Sequence, residues 1–305
     1  MRKLGIAVLG AVLLCLVGSA LAGRFIGPGV LHPLKVPVSG SRLVRIDEML
    51  QRVHAVRVDF PVTAPDGAVL HGWRIRAATP NGSWLLLFHG VGDNRTGTGV
   101  FAEFLLSTGY SVVMMDSRAH GESGGDLATY GWKERYDTAS VVNALESSEN
   151  VRHVFALGVS MGAAIALQSA AVDSRIEAVV AEDPLANLRE ISYDYAGLHR
   201  SPLLGKTLFR PATIEALHAM ANAGRFDPNQ VSPEGAVALR AFPVLLICGT
   251  ADRTIPCRHA RMIFNAAGGP KELWIVQGAQ HASAYGQSPA EYQSRVLNFL
   301  SKYAS

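Results

Sequence analysis

The chain has 305 residues, 49% of them hydrophobic and 17% charged, with a formal net charge of +3. That length holds one large α/β domain or two small ones. So small a charge, without a long basic run, excludes a surface built to track nucleic-acid phosphates. Three cysteines are too few for a disulfide framework, and the ten scattered histidines lack metal-binding spacing, so neither a metal nor a cofactor is expected.

Arg2 and Lys3 precede an apolar stretch from Leu4 to Val17, and Ala20-Leu21-Ala22 follows as a small-x-small cleavage site. This reads either as a secretory signal peptide cut after Ala22 or as an uncleaved membrane anchor, since 19 uncharged residues from Leu4 to Ala22 just span a bilayer. Both readings place the rest of the chain outside the membrane's cytoplasmic face, anchored or released. Residues 23–52 read as a Pro- and Gly-rich linker ending in a short helix near Ile46–Leu50.

Alternation over Val53–Phe60 and Ala68–Ile75, with Pro65-Asp66-Gly67 between them, predicts an antiparallel hairpin. Ser83–Phe88 is a continuous apolar run, as in a strand buried on both faces. A helix is expected over Val100–Ser107, a strand over Tyr110–Met115 and a helix over Tyr130–Ser147. The strand Val154–Leu157, a helix after Ser160 and the strand Ile176–Val180 follow. Residues 184–241 then lose all strand character and read as a helical lid. Strands resume at Val244–Ile247 and Glu272–Val276, each followed by a helix, Arg258–Ala267 and Ala290–Tyr303. Alternating strands and helices imply a mostly parallel sheet with helices on both faces, formed by residues 53–183 and 242–305. Functional residues should lie just beyond the carboxyl ends of its strands.

Four such loops carry chemistry. Gly158-Val159-Ser160-Met161-Gly162 joins a strand to a helix through a turn in which glycines leave room for backbone on both sides of the serine. The helix that follows directs N–H groups, led by Met161, toward negative charge developing at Ser160. His89-Gly90-Val91-Gly92 follows the buried strand 83–88 and offers the Val91 N–H as a second oxyanion donor. Gly249-Thr250-Ala251-Asp252 supplies a carboxylate, and Gly278-Ala279-Gln280-His281 an imidazole in a loop with no apolar face around it. Asp183 also follows a strand and is an alternative acid. Cys248 reads as a core residue, and His120 as part of a structural turn.

With the order Ser160, Asp252, His281 at successive strand ends, the chain from about Val53 to Tyr303 resembles the α/β-hydrolase superfamily. Within it the chain resembles single-domain serine acyl-hydrolases and aminopeptidase-like hydrolases that carry an N-terminal membrane segment. The stretch Asp116-Ser117-Arg118-Ala119-His120-Gly121-Glu122-Ser123 is similar to a turn of that superfamily. The resemblance implies that Ser160 is the nucleophile, His281 the general base and Asp252 the group that orients the imidazole. It implies hydrolysis of a small-molecule ester or thioester, with peptide hydrolysis or ligand binding without catalysis as the alternatives. In the lid, Leu185, Leu188, Ile191, Tyr193, Tyr195, Leu203, Leu204 and Phe209 are expected mainly to pack.

Overall fold

Strand Ser83–Phe88 is buried at every residue and occupies the middle of the sheet, as its uninterrupted apolar run requires. In the computed structural model, backbone is described from Arg2 to Ala304, and side chains at Gly10 and from Val12 to Ala304. The side chains of Arg2, Lys3 and the rest of 2–9 lie outside the described residues. Two compact units are present. One comprises the chain up to His32 together with Asn187–Val231. The other comprises Pro33–Ala186 and the chain from Ser232 onward.

In chain order the elements are α1 (Arg2–Gly29), α2 (Ser41–Arg52), β1 (Arg57–Asp59), β2 (Val62–Thr63), β3 (Val69–Leu70), β4 (Gly72–Ile75), β5 (Ser83–Phe88), α3 (Gly99–Ser107), β6 (Ser111–Met115), α4 (Glu134–Ser148), β7 (His153–Val159) and α5 (Met161–Val172). They continue with β8 (Ile176–Glu182), α6 (Leu188–Ala196), α7 (Pro202–Lys206), α8 (Arg210–Gly224), α9 (Pro233–Leu239), β9 (Val244–Gly249), α10 (Arg258–Ala266), β10 (Lys271–Val276), α11 (Ala284–Gln287) and α12 (Pro289–Ser301). The hairpin is present, but its first strand is shorter than the alternation suggests. Val53 caps α2, its N–H bonding to Met49 O, and His54 turns through φ 52°, so extended backbone begins only at Arg57.

The larger unit holds an eight-stranded sheet in the order β1-β4-β6-β5-β7-β8-β9-β10. β1, β4 and β6 pair antiparallel, and from β6 to β10 every pairing is parallel. The chain runs from β5 outward to β6 and then returns to the other side of β5 as β7. The crevice between β5 and β7 is therefore the topological switch point, where such sheets hold ligands. The register brings the carboxyl ends into one row: Phe88 opposite Gly158, Val159 opposite Glu182, Glu182 opposite Ile247 and Gly249 opposite Val276.

The smaller unit packs α1 along α8. Gly23 and Gly27 are buried in α1, and a Cβ at either would lie 2.0 Å from Ala212 O or 2.4 Å from Ala216 O. Only glycine allows backbones this close. Leu188 and Ile191 are buried as expected, whereas Leu203 and Leu204 are exposed, and Tyr195 is half exposed with its ring edge-on to His199. Gly23 and Gly27 lie beyond Ala22, in the stretch read as a linker, which is helical through Gly29.

Candidate active site

Ser160 lies between β7 and α5 with φ 57° and ψ −118°, a left-handed conformation that costs a non-glycine residue about 1–3 kcal/mol. Its neighbours explain why the turn closes. A Cβ on Gly158 would come within 2.3 Å of Gly162 O, and one on Gly162 within 2.3 Å of Phe88 O. These two glycines let α5 begin immediately above the ends of β5 and β7. Met161 opens α5, so its N–H has no carbonyl one turn back within the helix.

The loop after β5 passes directly beside the serine, since a Cβ at Gly90 would stand 3.6 Å from Ser160 Cβ. His89 sets the orientation of this loop. Its Nε2 accepts the N–H of Ser117 at 3.0 Å, which leaves the ring proton on Nδ1, and Nδ1 donates to Gly90 O at 2.8 Å. The Gly90–Val91 peptide is planar and trans, so holding Gly90 O toward the His89 ring turns the Val91 N–H away from it. Burial, with a lesser contribution from nearby His120, brings the His89 pKa down to about 4 and keeps the ring neutral in this role. Further along, Asn94 caps a short 3-10 helix, Arg95–Thr98. Arg95 donates its backbone N–H and Nη1 to the carboxylate of buried Asp116, at 2.7 and 2.5 Å. The turn after β6 thus fixes the loop after β5.

The loops after β9 and β10 meet at the same row of strand ends. His281 Nε2 lies 2.9 Å from Ser160 Oγ, and its Nδ1 lies 2.7 Å from Asp252 Oδ2. Asp252 Oδ1 accepts the N–H groups of Thr254 and Ile255, at 2.7 and 2.9 Å, which aims the other oxygen at the imidazole. Thr250 Oγ1 accepts the N–H of Gly278 at 2.9 Å, joining the two loops. The structure thus brings Ser160, Asp252 and His281 into one hydrogen-bonded line, with the loops of Val91 and Met161 beside the serine.

Asp183 occupies a second acid position that sequence alone left open. It stands 3.9 Å from His281 Nδ1, beyond hydrogen-bond reach. Its oxygens are engaged elsewhere: Oδ1 accepts Gly249 N–H at 3.2 Å and Oδ2 accepts Ala282 N–H at 2.8 Å. The adjacent Glu182 accepts Ala284 N–H at 3.0 Å. Burial, then the charges of Asp252 and Glu182, push the Asp183 carboxyl up to about 7, and burial raises Glu182 as well. Burial works against a charge on His281, but its hydrogen bond to Asp252 and the surrounding carboxylates prevail and raise its pKa. The backing role of this Glu-Asp pair had no sequence signal beyond its place at a strand end.

Asp183, Asp252 and His281 place three donor atoms within 4.8 Å of one another. Two ligands on a tetrahedral ion at 2.0 Å stand about 3.3 Å apart. The 2.7 Å between His281 and Asp252 is a hydrogen bond, and the oxygens of Asp183 already face N–H donors.

Cys248, expected as a plain core residue, is buried but forms a disulfide with Cys257, their Cα atoms 5.3 Å apart. Sequence spacing did not pair them, because the β9–α10 turn that brings them together is a tertiary feature. The bridge closes the loop that carries Asp252.

Comparison with known proteins agrees with this fold. The model of the alpha/beta hydrolase family matches residues 85–293. YqkD of Bacillus subtilis is 29% identical over 246 residues, covering 79% of this chain and 78% of its own. YfhR of Escherichia coli K12 is 26% identical over 254 residues, covering 81% and 80%. Among solved structures, the Pyrococcus furiosus esterase Pf2001 aligns with TM-score 0.71 at 23% identity, over 90% of this chain and all of its own. An acylaminoacyl peptidase of Pyrococcus horikoshii aligns with TM-score 0.60 at 15% identity, over 79% of this chain and 40% of that one. At these identities the two structures speak to the fold.

Proposed function

The chain belongs to the alpha/beta hydrolase family, and from that premise we propose that it is a serine hydrolase of carboxylic esters or thioesters. The observation that carries this reading is the unbroken line from Ser160 Oγ through His281 to Asp252, at 2.9 and 2.7 Å.

In this reading His281 Nε2 removes the Ser160 proton as Oγ attacks the substrate carbonyl. The imidazolium that forms is held by Asp252, and the oxyanion of the tetrahedral intermediate is met by the N–H groups of Met161 and Val91. His281 then returns the proton to the departing alcohol or thiol, leaving Ser160 acylated. Water, deprotonated by the same imidazole, attacks the acyl group and restores the serine.

Peptide hydrolysis is the second reading, since the same fold is seen in the acylaminoacyl peptidase. We keep the ester reading first because the insert 184–241 is rich in apolar residues and holds no two acidic residues adjacent in sequence.

We also take α1 as a retained anchor. It is long and apolar enough to cross a bilayer, and its residues 4–22 carry no charge while Arg2 and Lys3 precede them. It also runs as unbroken helix through the Ala22 cleavage position, where a protease needs extended backbone.

The test is labelling with a fluorophosphonate probe, comparing the intact protein with Ser160→Ala and His281→Ala. Labelling should vanish in the first and fall by orders of magnitude in the second. A folded wild-type protein that does not label refutes the activated serine. Rates on a panel of acyl esters, thioesters and peptide amides then decide between the two readings.

A further inference from the structure

The smaller unit exposes a stretch of unusual character. From Leu198 to Arg210 the sequence contains no acidic residue, three cations (Arg200, Lys206 and Arg210) and the histidine His199. Four leucines lie in the same stretch and are exposed: Leu198 by 67%, Leu203 by 65%, and Leu204 and Leu208 by 39% each. The exposure is built in. Gly205 is buried, and a Cβ there would fall 2.0 Å from Tyr193 O, so α7 lies pressed on the backbone of α6 while its leucines remain outside. Lys206 pairs with Glu190, and Arg200 and Arg210 are exposed. Exposed leucines beside basic residues are the composition of a segment that lies in a lipid–water interface.

The register of α1 against α8 says where this stretch sits relative to the apolar end of α1. Gly23 meets Ala212 and Gly27 meets Ala216, so the numbering rises together along both helices. They run in the same direction, and at 1.5 Å per residue Arg210 lies level with about residue 21 of α1. That is where the uncharged stretch from Leu4 to Ala22 ends and Arg24 follows. A bilayer core takes up about 20 helical residues, so its outer surface falls at this level. The leucine-bearing stretch is joined to α8 at this same end. Phe209 N–H bonds to Leu204 O, and Thr213 N–H to Phe209 O.

We propose that Leu198–Arg210 is a second membrane contact, docking onto the outer surface of an anionic bilayer beside the point where α1 emerges. The leucines enter the acyl boundary and Arg200 and Arg210 meet phosphate headgroups. The proposal rests on α1 being retained as an anchor and is independent of the hydrolase chemistry.

The test uses the full chain with Cys15→Ser, to remove the exposed thiol, and one introduced cysteine, Leu203→Cys, Leu208→Cys or Leu14→Cys. Each is labelled with an environment-sensitive nitrobenzoxadiazole group. The protein is reconstituted into vesicles of phosphatidylcholine and phosphatidylglycerol, with or without lipid bearing a doxyl quencher, placed near the headgroup for the labels at 203 and 208 and near the end of the acyl chain for the label at 14. Fluorophosphonate labelling of the same samples reports the hydrolase fold separately. The labels at 203 and 208 should lose at least half of their intensity to doxyl lipid and resist iodide in the water. Quenching should weaken when phosphatidylglycerol is omitted. Quenching at 14 but not at 203 or 208 overturns the docking while leaving the anchor intact. No quenching at any position overturns both. Shielding from iodide without lipid quenching also overturns it, and points to a second copy or another protein on this surface.

Discussion

Asp183 Oδ2 accepts the backbone N–H of Ala282 at 2.8 Å, so the end of β8 grips the residue that follows the imidazole-bearing His281. Both partners pay for the contact in backbone geometry, with φ 47° at Asp183 and 54° at Ala282, in the region that non-glycine residues avoid. Asp183, the alternative acid of the sequence reading, therefore holds the histidine loop, and Asp252 holds the imidazole itself.

This division of labour predicts unequal effects of two similar substitutions. Asp252→Asn removes the acceptor at Nδ1 and should lower kcat by about 10³–10⁴-fold with little change in melting temperature. Asp183→Asn offers one acceptor oxygen to two N–H groups and sets an amide against the other. It should cost about 1–3 kcal/mol of stability and reduce kcat far less. Steady-state ester hydrolysis and thermal melts on both variants check this. A larger loss of kcat in Asp183→Asn would reverse the assignment of the acid.

Activity and stability should respond to pH in opposite directions. In the proposed mechanism a neutral His281 accepts the serine proton, and its raised pKa means that this form is populated only above the ordinary histidine value of about 6.5, so kcat/KM should rise with pH through a limb displaced upward. For stability the sign is reversed. A folded-state pKa raised above its unfolded value stabilises fully below the unfolded pKa, and that contribution is lost as pH rises through the folded one. Asp183, at about 7, and His281 therefore both lose stabilisation as pH climbs. Between pH 6.5 and 8.5 the lowered pKa values of buried His89 and His120 no longer matter, since they affect stability only below about 6.5. Glu182 and Asp137, raised by burial, add to the same downward trend, so the comparison with Asp183→Asn singles out the share of Asp183. The melting temperature should fall across this window in the wild type and fall less in Asp183→Asn.

Reduction of the Cys248–Cys257 bridge should loosen the loop that carries Asp252. A closed loop this short, its ends nine positions apart, is worth about 2–3 kcal/mol by chain entropy. A mild reductant should lower the melting temperature and slow fluorophosphonate labelling. Cys248→Ala with Cys257→Ala should reproduce both effects and be indifferent to reductant. Unchanged labelling kinetics in the double variant would show that the loop holds Asp252 unaided.

The contact of α1 with α8 should be intolerant of a side chain. Gly27→Val places methyl groups where even a Cβ falls 2.4 Å from Ala216 O. Such overpacking costs about 1–3 kcal/mol and should part the two helices. Trypsin cleavage after Arg225, exposed at the carboxyl end of α8, should accelerate several-fold. Equal cleavage rates in variant and wild type would show that α8 is held without α1.

The sheet was legible in the sequence because each buried strand is an apolar run between loop signals. Ser83–Phe88 is read with the same bounds in sequence and structure, and the helices differ at their ends by a few residues. Val53–Phe60 was over-extended, since alternation does not reveal that the preceding helix continues through Arg52 and ends in a turn at His54. The four loops of the candidate site were legible as well, each carrying a polar group directly after a strand. What local pattern cannot convey is distance. Asp183 and Asp252 both follow strands, and only the tertiary fold separates 3.9 Å from 2.7 Å at the same nitrogen.

The same limit explains the rest. Composition and spacing determined an alternating α/β chain with an apolar N-terminus, because periodicity and hydrophobicity are properties of neighbours along the chain. The pairing of Cys248 with Cys257, the grip of Asp183 on the histidine loop and the parallel register of α1 on α8 join residues nine, 99 and about 189 positions apart. Contacts of this kind are set by which strand lies beside which and how closely two backbones can approach, and those are decided only when the chain folds.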